Sequence, residues 1–170
     1  MMGAIDLELW VRVSAFLSRE AQLVDQKRWS EWLDLFDEQC EFWVPAWDSD
    51  TILTNDPEQE ASLIYYSTRA GLEDRVFRIE NTHAPSATPP PRTSHLVSAI
   101  DVVEAQAGTV AAVANWVCHW VWRREARSYF GRYEYELREA SGGRAPFVIQ
   151  KKKIIVNNDV IPIVLDIWHI

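Results

Sequence analysis

Between residues 128 and 138 the chain alternates strictly. Tyr129, Gly131, Tyr133, Tyr135 and Leu137 fall on one face of an extended strand, and Arg132, Glu134, Glu136 and Arg138 fall on the other. A period of two places one face against a core and the other in water. Three further runs, Leu96 to Val103, Thr109 to Trp122 and Phe147 to Asn157, also read as long strands, joined by short links that carry turn formers such as Gly108 and the pair Gly142, Gly143. Short links predict antiparallel neighbours. The run 110–122 is apolar on both faces, which predicts a central strand covered on both sides. Lys151 and Lys153 face away from Lys152, so this basic run reads as a strand with solvated ends.

Helical patterns precede the strands. From Asp6 to about Val24, the residues Leu9, Val13, Phe16, Leu17, Ala21 and Val24 recur at three- and four-residue steps and share one helix face. Ser30 to Phe36, with Trp29, Trp32, Leu33 and Phe36 at the same spacing, predicts a second short helix, and Asp25, Gln26 and Lys27 close an α-hairpin. EFWVPAW at 41–47 turns extended, with Pro45 at an edge or a strand end. The segment 48–59 is rich in turn formers and predicts a surface loop. SLIYYSTRAGLEDRVFRIE at 62–80 predicts a third helix, weakened by Gly71. The four prolines of NTHAPSATPPPRTS favour an extended, partly polyproline arm. Helices followed by a long curved antiparallel sheet define an α+β fold, a single domain over 1–170 with the helices across one side of the sheet. That order resembles the nuclear-transport-factor-2-like (SnoaL-like) cone.

Composition narrows the function classes. A chain of 170 residues buries about 70% of its unfolded surface as one domain. Its 17 basic and 25 acidic residues give a formal charge of -8, which argues against nucleic acid or an anionic membrane as partner. No stretch approaches the roughly 20 apolar residues of a membrane span, and MMGAIDLELW lacks a basic region followed by an apolar one, so a cytoplasmic protein is expected. The two cysteines, Cys40 and Cys118, supply neither a disulfide framework nor a four-cysteine zinc site, and they lack the close Cys and His pairs that a Rieske centre needs. They read as small buried apolar side chains. No nucleophile-elbow serine, GxGxxG or P-loop pattern occurs. Nine tryptophans are unusual, and large rings favour both cores and interface centres.

Two constellations are candidates for chemistry. If Ala105 faces Thr109 across the first hairpin, His95 lies opposite His119, a pair that could share a metal but lacks a readable third ligand; His83 and His169 complete the histidines. Alternatively, Tyr65, Tyr66, Asp101 and His119 could line an apolar acid–base pocket of a stand-alone isomerase or dehydratase. A free-standing small-ligand binder or homo-oligomeric scaffold is a third possibility. Residues 89–98, PPPRTSHLVS, instead suggest a stiff arm. Pro91 and Arg92 on that arm, His95 beyond it, Arg69 on the third helix and Trp168 in the apolar tail VIPIVLDIWHI are the candidate subunit-interface residues, because an arginine on a rigid support suits bidentate pairing and an apolar chain end must be covered by its own sheet or by a neighbour.

The run of motifs W..WLDLF near 29–36, FWVP at 42–45, SLIYYSTRAGLEDRVFRIE at 62–80, PPRTSHLVS at 90–98, YFGRYEYELR at 129–138 and the closing NNDVIPIVLDIWHI resembles the small (β) subunit of aromatic-ring-hydroxylating dioxygenases. The stretch YYxxRxGLEDRV and the ending VLDI-aromatic-His-hydrophobic resemble most the benzoate and anthranilate branch. The resemblance implies the cone fold and assembly with a large α subunit as α3β3 around a β trimer. It also implies that the α subunit carries the Rieske [2Fe–2S] cluster and the mononuclear Fe(II), with electrons drawn from NADH through a reductase. By that resemblance this chain has no catalytic residue, cofactor or metal of its own, and supports an oxygenase that adds both atoms of O2 to an aromatic acid as a cis-diol.

Overall fold

Asp6 opens the first helix, its carboxylate accepting from Leu9 N–H at 3.0 Å as an N-cap. In the computed structural model, which describes residues 6–81, 88–106, 108–142 and 145–170 and at 103–106 the backbone alone, helix α1 runs Leu7–Asp25. Its buried stripe, Val13, Phe16, Leu17, Glu20, Leu23 and Val24, follows the expected spacing and includes one carboxylate. Lys27, at φ 58°, turns the chain into helix α2, Trp29–Leu33.

Helix α2 is shorter than its periodicity predicts. Phe36 opens strand β1, Phe36–Pro45, where it pairs with Ile149 while Ile149 N–H donates to Leu35 O at 2.8 Å. Sheet pairing has overridden helical spacing. The same competition splits the single helix expected over 62–80. Ser62–Tyr66 forms strand β2, antiparallel to β1 with Phe42 opposite Tyr66, and helix α3 begins at Arg69 and ends at Asn81. β-branched and aromatic side chains suit such a strand. Gly71 has a packing role here, since a Cβ at that position would lie 2.4 Å from Cδ1 of the Tyr66 ring.

Strands β3 (Arg92–Gln106), β4 (Thr109–Trp122), β5 (Glu125–Glu139) and β6 (Phe147–Val156) form the long sheet. The six strands lie in the order β2-β1-β6-β5-β4-β3, antiparallel throughout except for the parallel β1–β6 pair. The alternation of β5 holds, with Tyr129, Tyr133, Tyr135 and Leu137 in the core. Strand β4 departs from expectation. Val110, Ala112, Ala114, Trp116, Cys118 and Trp120 are buried, but the opposite side, from Ala111 to Val121, is only half-covered or open. The helices cover one face of the sheet; the other is open along β3, β4 and much of β5 but closed at Trp43 and Ile155.

Bulges set the details of register. Shifts between Ser98 and Asp101 and between Val102 and Glu104 move β3 along β4, so His95 lies opposite Cys118 and His119 opposite Ser94. The expected His95–His119 pair does not form. In β6 a shift opposite Glu136/Leu137 brings Ile149 and Lys152 to the same inner face, which corrects the picture of a solvated basic run.

The tail closes into the chain itself. Asp166 caps a 3-10 turn, Ile167–His169, and Ile167, Trp168, His169 and Ile170 are all buried. Trp168 is therefore a core residue and leaves the list of interface candidates. The tryptophan surplus has the same explanation, because Trp29, Trp32, Trp43, Trp116 and Trp120 are buried in the chain's own core.

Candidate functional site

Two polar clusters stand under the helices. In the first, Glu20 of α1 reaches the inner sheet face, where Oε1 accepts from Lys152 Nζ at 2.8 Å and from Trp32 Nε1 at 3.1 Å, and Oε2 accepts from the Tyr135 hydroxyl at 2.7 Å. The Lys152 ammonium also lies 4.3 Å from the Tyr133 ring centroid. Burial pulls the Lys152 pKa below its ordinary value against the opposing pull of Glu20, and burial pushes both tyrosines well up. Each member is satisfied, so this cluster pins α1, α2, β5 and β6 together.

The second cluster sits at the C-terminal end of α1. Asp25 accepts from Thr93 Oγ1 at 2.7 Å and from the His95 backbone N–H at 2.8 Å, and its Oδ1 lies 2.6 Å from His95 Nδ1. Lys27 Nζ donates to Thr93 Oγ1 at 3.1 Å. Burial raises the Asp25 carboxyl pKa, but the bonds and charge of His95 and the Thr93 bond outweigh it and hold the group below the usual aspartate value. His95 thus faces inward on a side chain 2% exposed, not outward to a neighbour.

The expected acid–base pocket is not assembled. Asp101 and His119 are exposed, His119 with Nδ1 at 2.6 Å from Ser128 Oγ, while Tyr65 and Tyr66 occupy the far edge strand on successive, hence opposite, positions. The carboxylates that the helices bring to the inner face, Glu20 and Asp25, carry no motif in the sequence. The helical stripe of α1 was the available signal for Glu20, since it puts a carboxylate among apolar positions.

Arg69 is committed within the chain. Its guanidinium donates to Glu73 Oε1 at 2.8 Å and to Phe36 O at 3.1 Å, tying α3 to β1. Pro91 is buried, and the arm is fastened to the chain's own β4–β5 hairpin by Trp122 Nε1, which donates to Pro89 O at 2.9 Å. His83 and the arm's first residues fall outside the described segments. Arg92 is exposed and has no ion pair or side-chain hydrogen bond among the described residues.

Near Arg92 the bare sheet face carries an apolar row. Leu96, Val117 and Phe130 are direct partners across β3, β4 and β5, with Leu96 50% and Phe130 46% exposed. Ser94, His119 and Ser128 form the next row, and a shallow depression lined by Arg92, His119, Val121 and Arg127 adjoins it.

Among the described residues the donors do not fit a Rieske cluster or a catalytic iron. Cys40 and Cys118 lie on separate strands, and burial pushes their thiol pKa values up to about 11 and about 12, away from the thiolate that metals bind. Among the described residues no three His, Cys, Asp or Glu side chains converge.

Comparison with known proteins gives this geometry its context. The family model described as "Ring hydroxylating beta subunit" matches residues 19–163. The chain belongs to the ring-hydroxylating β-subunit family. It is 38% identical over 161 residues to the small subunit of 2-halobenzoate 1,2-dioxygenase from Burkholderia cepacia, covering 95% of this chain and 96% of that one. It is likewise 38% identical over 166 residues to the small subunit of anthranilate 1,2-dioxygenase from Acinetobacter baylyi, covering 98% and 100%. The crystal structure of the benzoate 1,2-dioxygenase β subunit from Burkholderia mallei superposes with a TM-score of 0.78 at 36% identity, over 99% of this chain and 100% of that one. Naphthalene 1,2-dioxygenase, 13% identical with a TM-score of 0.80 over 99% and 88% of the two chains, shares the fold alone. The expected nuclear-transport-factor-2-like cone and the benzoate and anthranilate branch both stand. As a β subunit, the chain is the small, non-catalytic part of the oxygenase component of a ring dioxygenase. No described helix is long and apolar enough to cross a membrane.

Proposed function

We propose that this β subunit is the assembly half of an α3β3 oxygenase that cis-dihydroxylates an aromatic acid of the benzoate or anthranilate type, and that its bare sheet face joins it to a second copy of itself in a β trimer. The α subunit holds the Rieske [2Fe–2S] cluster and the mononuclear Fe(II) and receives electrons from NADH through a reductase. The acid substrate is supported by the names of the relatives, which act on 2-halobenzoate and anthranilate.

The observation that carries the β–β contact is the Leu96–Val117–Phe130 row. An apolar centre with an arginine rim is the common anatomy of an interface core. Charge supports the choice of occupant, since the Arg92 guanidinium has no ion pair among the described residues and another copy of a chain with net charge -8 offers carboxylates to meet it. Light scattering on the isolated chain tests this. The wild type is expected to run as a trimer, whereas Phe130→Glu and Arg92→Ala shift it toward monomer with unchanged circular dichroism. A trimer untouched by both substitutions places the contact elsewhere.

A further inference from the structure

A ring of three identical chains closes only through a heterologous contact, in which one patch of each copy meets a different patch of the next; a patch that meets itself stops at a pair. The Leu96, Val117, Phe130 row therefore needs a second, different surface on the neighbouring copy. Charge defines its kind. At the end of the face that carries Arg92, the register sets Arg92 opposite Val121 and Val121 opposite Ala126, and the β4–β5 turn just beyond adds the exposed Arg123 and Arg124. The acid of that turn, Glu125, is taken up by Arg127 at 2.5 Å. On a chain of net charge -8 this end is locally electropositive, and the surface that complements it is acidic around an apolar centre.

The connection between β1 and β2 has that composition. Residues 46–61 carry Asp48, Asp50, Asp56, Glu58 and Glu60 and no lysine or arginine. The loop is ordered by its own bonds. Thr54 is buried at its base, where Oγ1 donates to Ala61 O at 2.9 Å and accepts from Ala46 N–H at 3.1 Å. Trp47 bridges to Leu53 and Asp48 N–H donates to Ile52 O at 2.8 Å, which folds 47–53 into a small hairpin, while Glu60 Oε2 accepts from the Asn55 and Asp56 N–H groups. A loop ordered in advance loses little conformational freedom on docking. It presents Ile52, 58% exposed, and Trp47, 41% exposed, among carboxylates. Asp48, Asp50 and Glu58 are exposed and have no ion pair among the described residues.

Loop and arginines are separate on one copy, as a ring requires. Trp47 Nε1 donates to Val156 O at 2.7 Å and Val156 lies opposite Gly131, so the loop borders the open face across β6. Along β5, about 16 Å of strand separates Gly131 from Ala126 in the Arg92 row. We propose that the trimer closes head to tail, with Ile52 and Trp47 of one copy seated on the Leu96, Val117, Phe130 row of the next, and the acids of the loop facing Arg92 and the Arg123–Arg124 turn. This contact rests on the β trimer proposed for the open face and supplies its second half, since each copy then gives one loop and one face.

Complementation between two broken variants of the full chain tests the contact by native mass spectrometry. Phe130→Glu spoils the face and keeps the loop, and Ile52→Glu spoils the loop and keeps the face, each by placing a carboxylate in the apolar centre. Each variant alone is expected to lose the trimer and run as a monomer. An equimolar mixture is expected to give a one-to-one dimer, because one intact loop then meets one intact face and the two spoiled patches stop further growth. Asp48→Asn with Asp50→Asn keeps the apolar anchors and is expected to raise the concentration at which the trimer dissociates at least tenfold in low salt. A trimer that survives Ile52→Glu, or two monomeric variants that stay apart on mixing, overturns the head-to-tail contact while the wild-type trimer still stands. An unmoved dissociation midpoint in the double variant overturns the pairing of the loop's acids with the arginines. A wild type that is itself monomeric sinks the β trimer, and this contact with it.

Discussion

Glu20 on α1 and Lys152 on β6 form an ion pair of 2.8 Å inside the core, with side chains 3% and 2% exposed. Two charges leave water here, and they are tolerated because Tyr135 and Trp32 supply the carboxylate's remaining donors and aromatic faces surround the ammonium. Breaking the pair from one side strands a charge. Lys152→Met alone is expected to cost about 3–5 kcal/mol in urea unfolding. Glu20→Gln combined with Lys152→Met should recover most of that loss, because no formal charge then remains. Losses that simply add would show that the two groups are not coupled.

His169 gives the fold a pH dependence. Its Nδ1 accepts from Asp166 N–H at 2.9 Å, and burial pushes its pKa down to about 3, with the nearby charges of His95 and Lys27 adding to the effect and the Asp166 bond opposing it. The folded value lies below the unfolded one, so the unfolded chain binds the extra proton and stability falls as pH drops below about 6.5. The expected slope is roughly 1.4 kcal/mol per pH unit from there down to about 3. His169→Asn keeps an acceptor for Asp166 N–H and should flatten the pH 4.5–6.5 part of the curve. An unchanged slope would assign it to another group.

The β4–β5 hairpin turns on Arg123 and Arg124, both left-handed at φ 49° and 71°. That backbone matches the twist of the strands but suits Asn-Gly far better than two arginines. Arg124→Gly is expected to raise stability by about 0.5–1 kcal/mol, the left-handed penalty less the extra entropy of glycine. Trp122 and Arg123 also hold the proline arm and stack at 4.2 Å, so the thermal midpoint should be read with Arg123 kept. A lower midpoint would mean that Arg124 makes a contact worth more than the strain.

The order of elements and the faces of β5 were legible because each is a local, repeating pattern. Where the reading failed, a long-range partner decided. SLIYY carries helical formers around it but has β1 to pair with, and Phe36 keeps helical spacing while its neighbour Leu35 is bonded to β6. Bulges are the second cause. One extra residue in β6 turns Lys152 inward, and two in β3 move His95 away from His119 and in against Asp25. Trp168 and Pro91 carried no sign of which chain would bury them, since an apolar tail has the same composition whether it covers its own sheet or a neighbour's.

The central claim is that this chain serves as the non-catalytic β subunit that organises an α3β3 oxygenase. Native mass spectrometry and an absorption spectrum of the complex captured through a tag on this chain, from its host grown on an aromatic acid, test it most directly. The expected result is a coloured hexamer with three copies of this chain and three of a larger iron–sulfur protein. A colourless assembly of this chain alone, from cells that are actively hydroxylating the acid, would contradict the account.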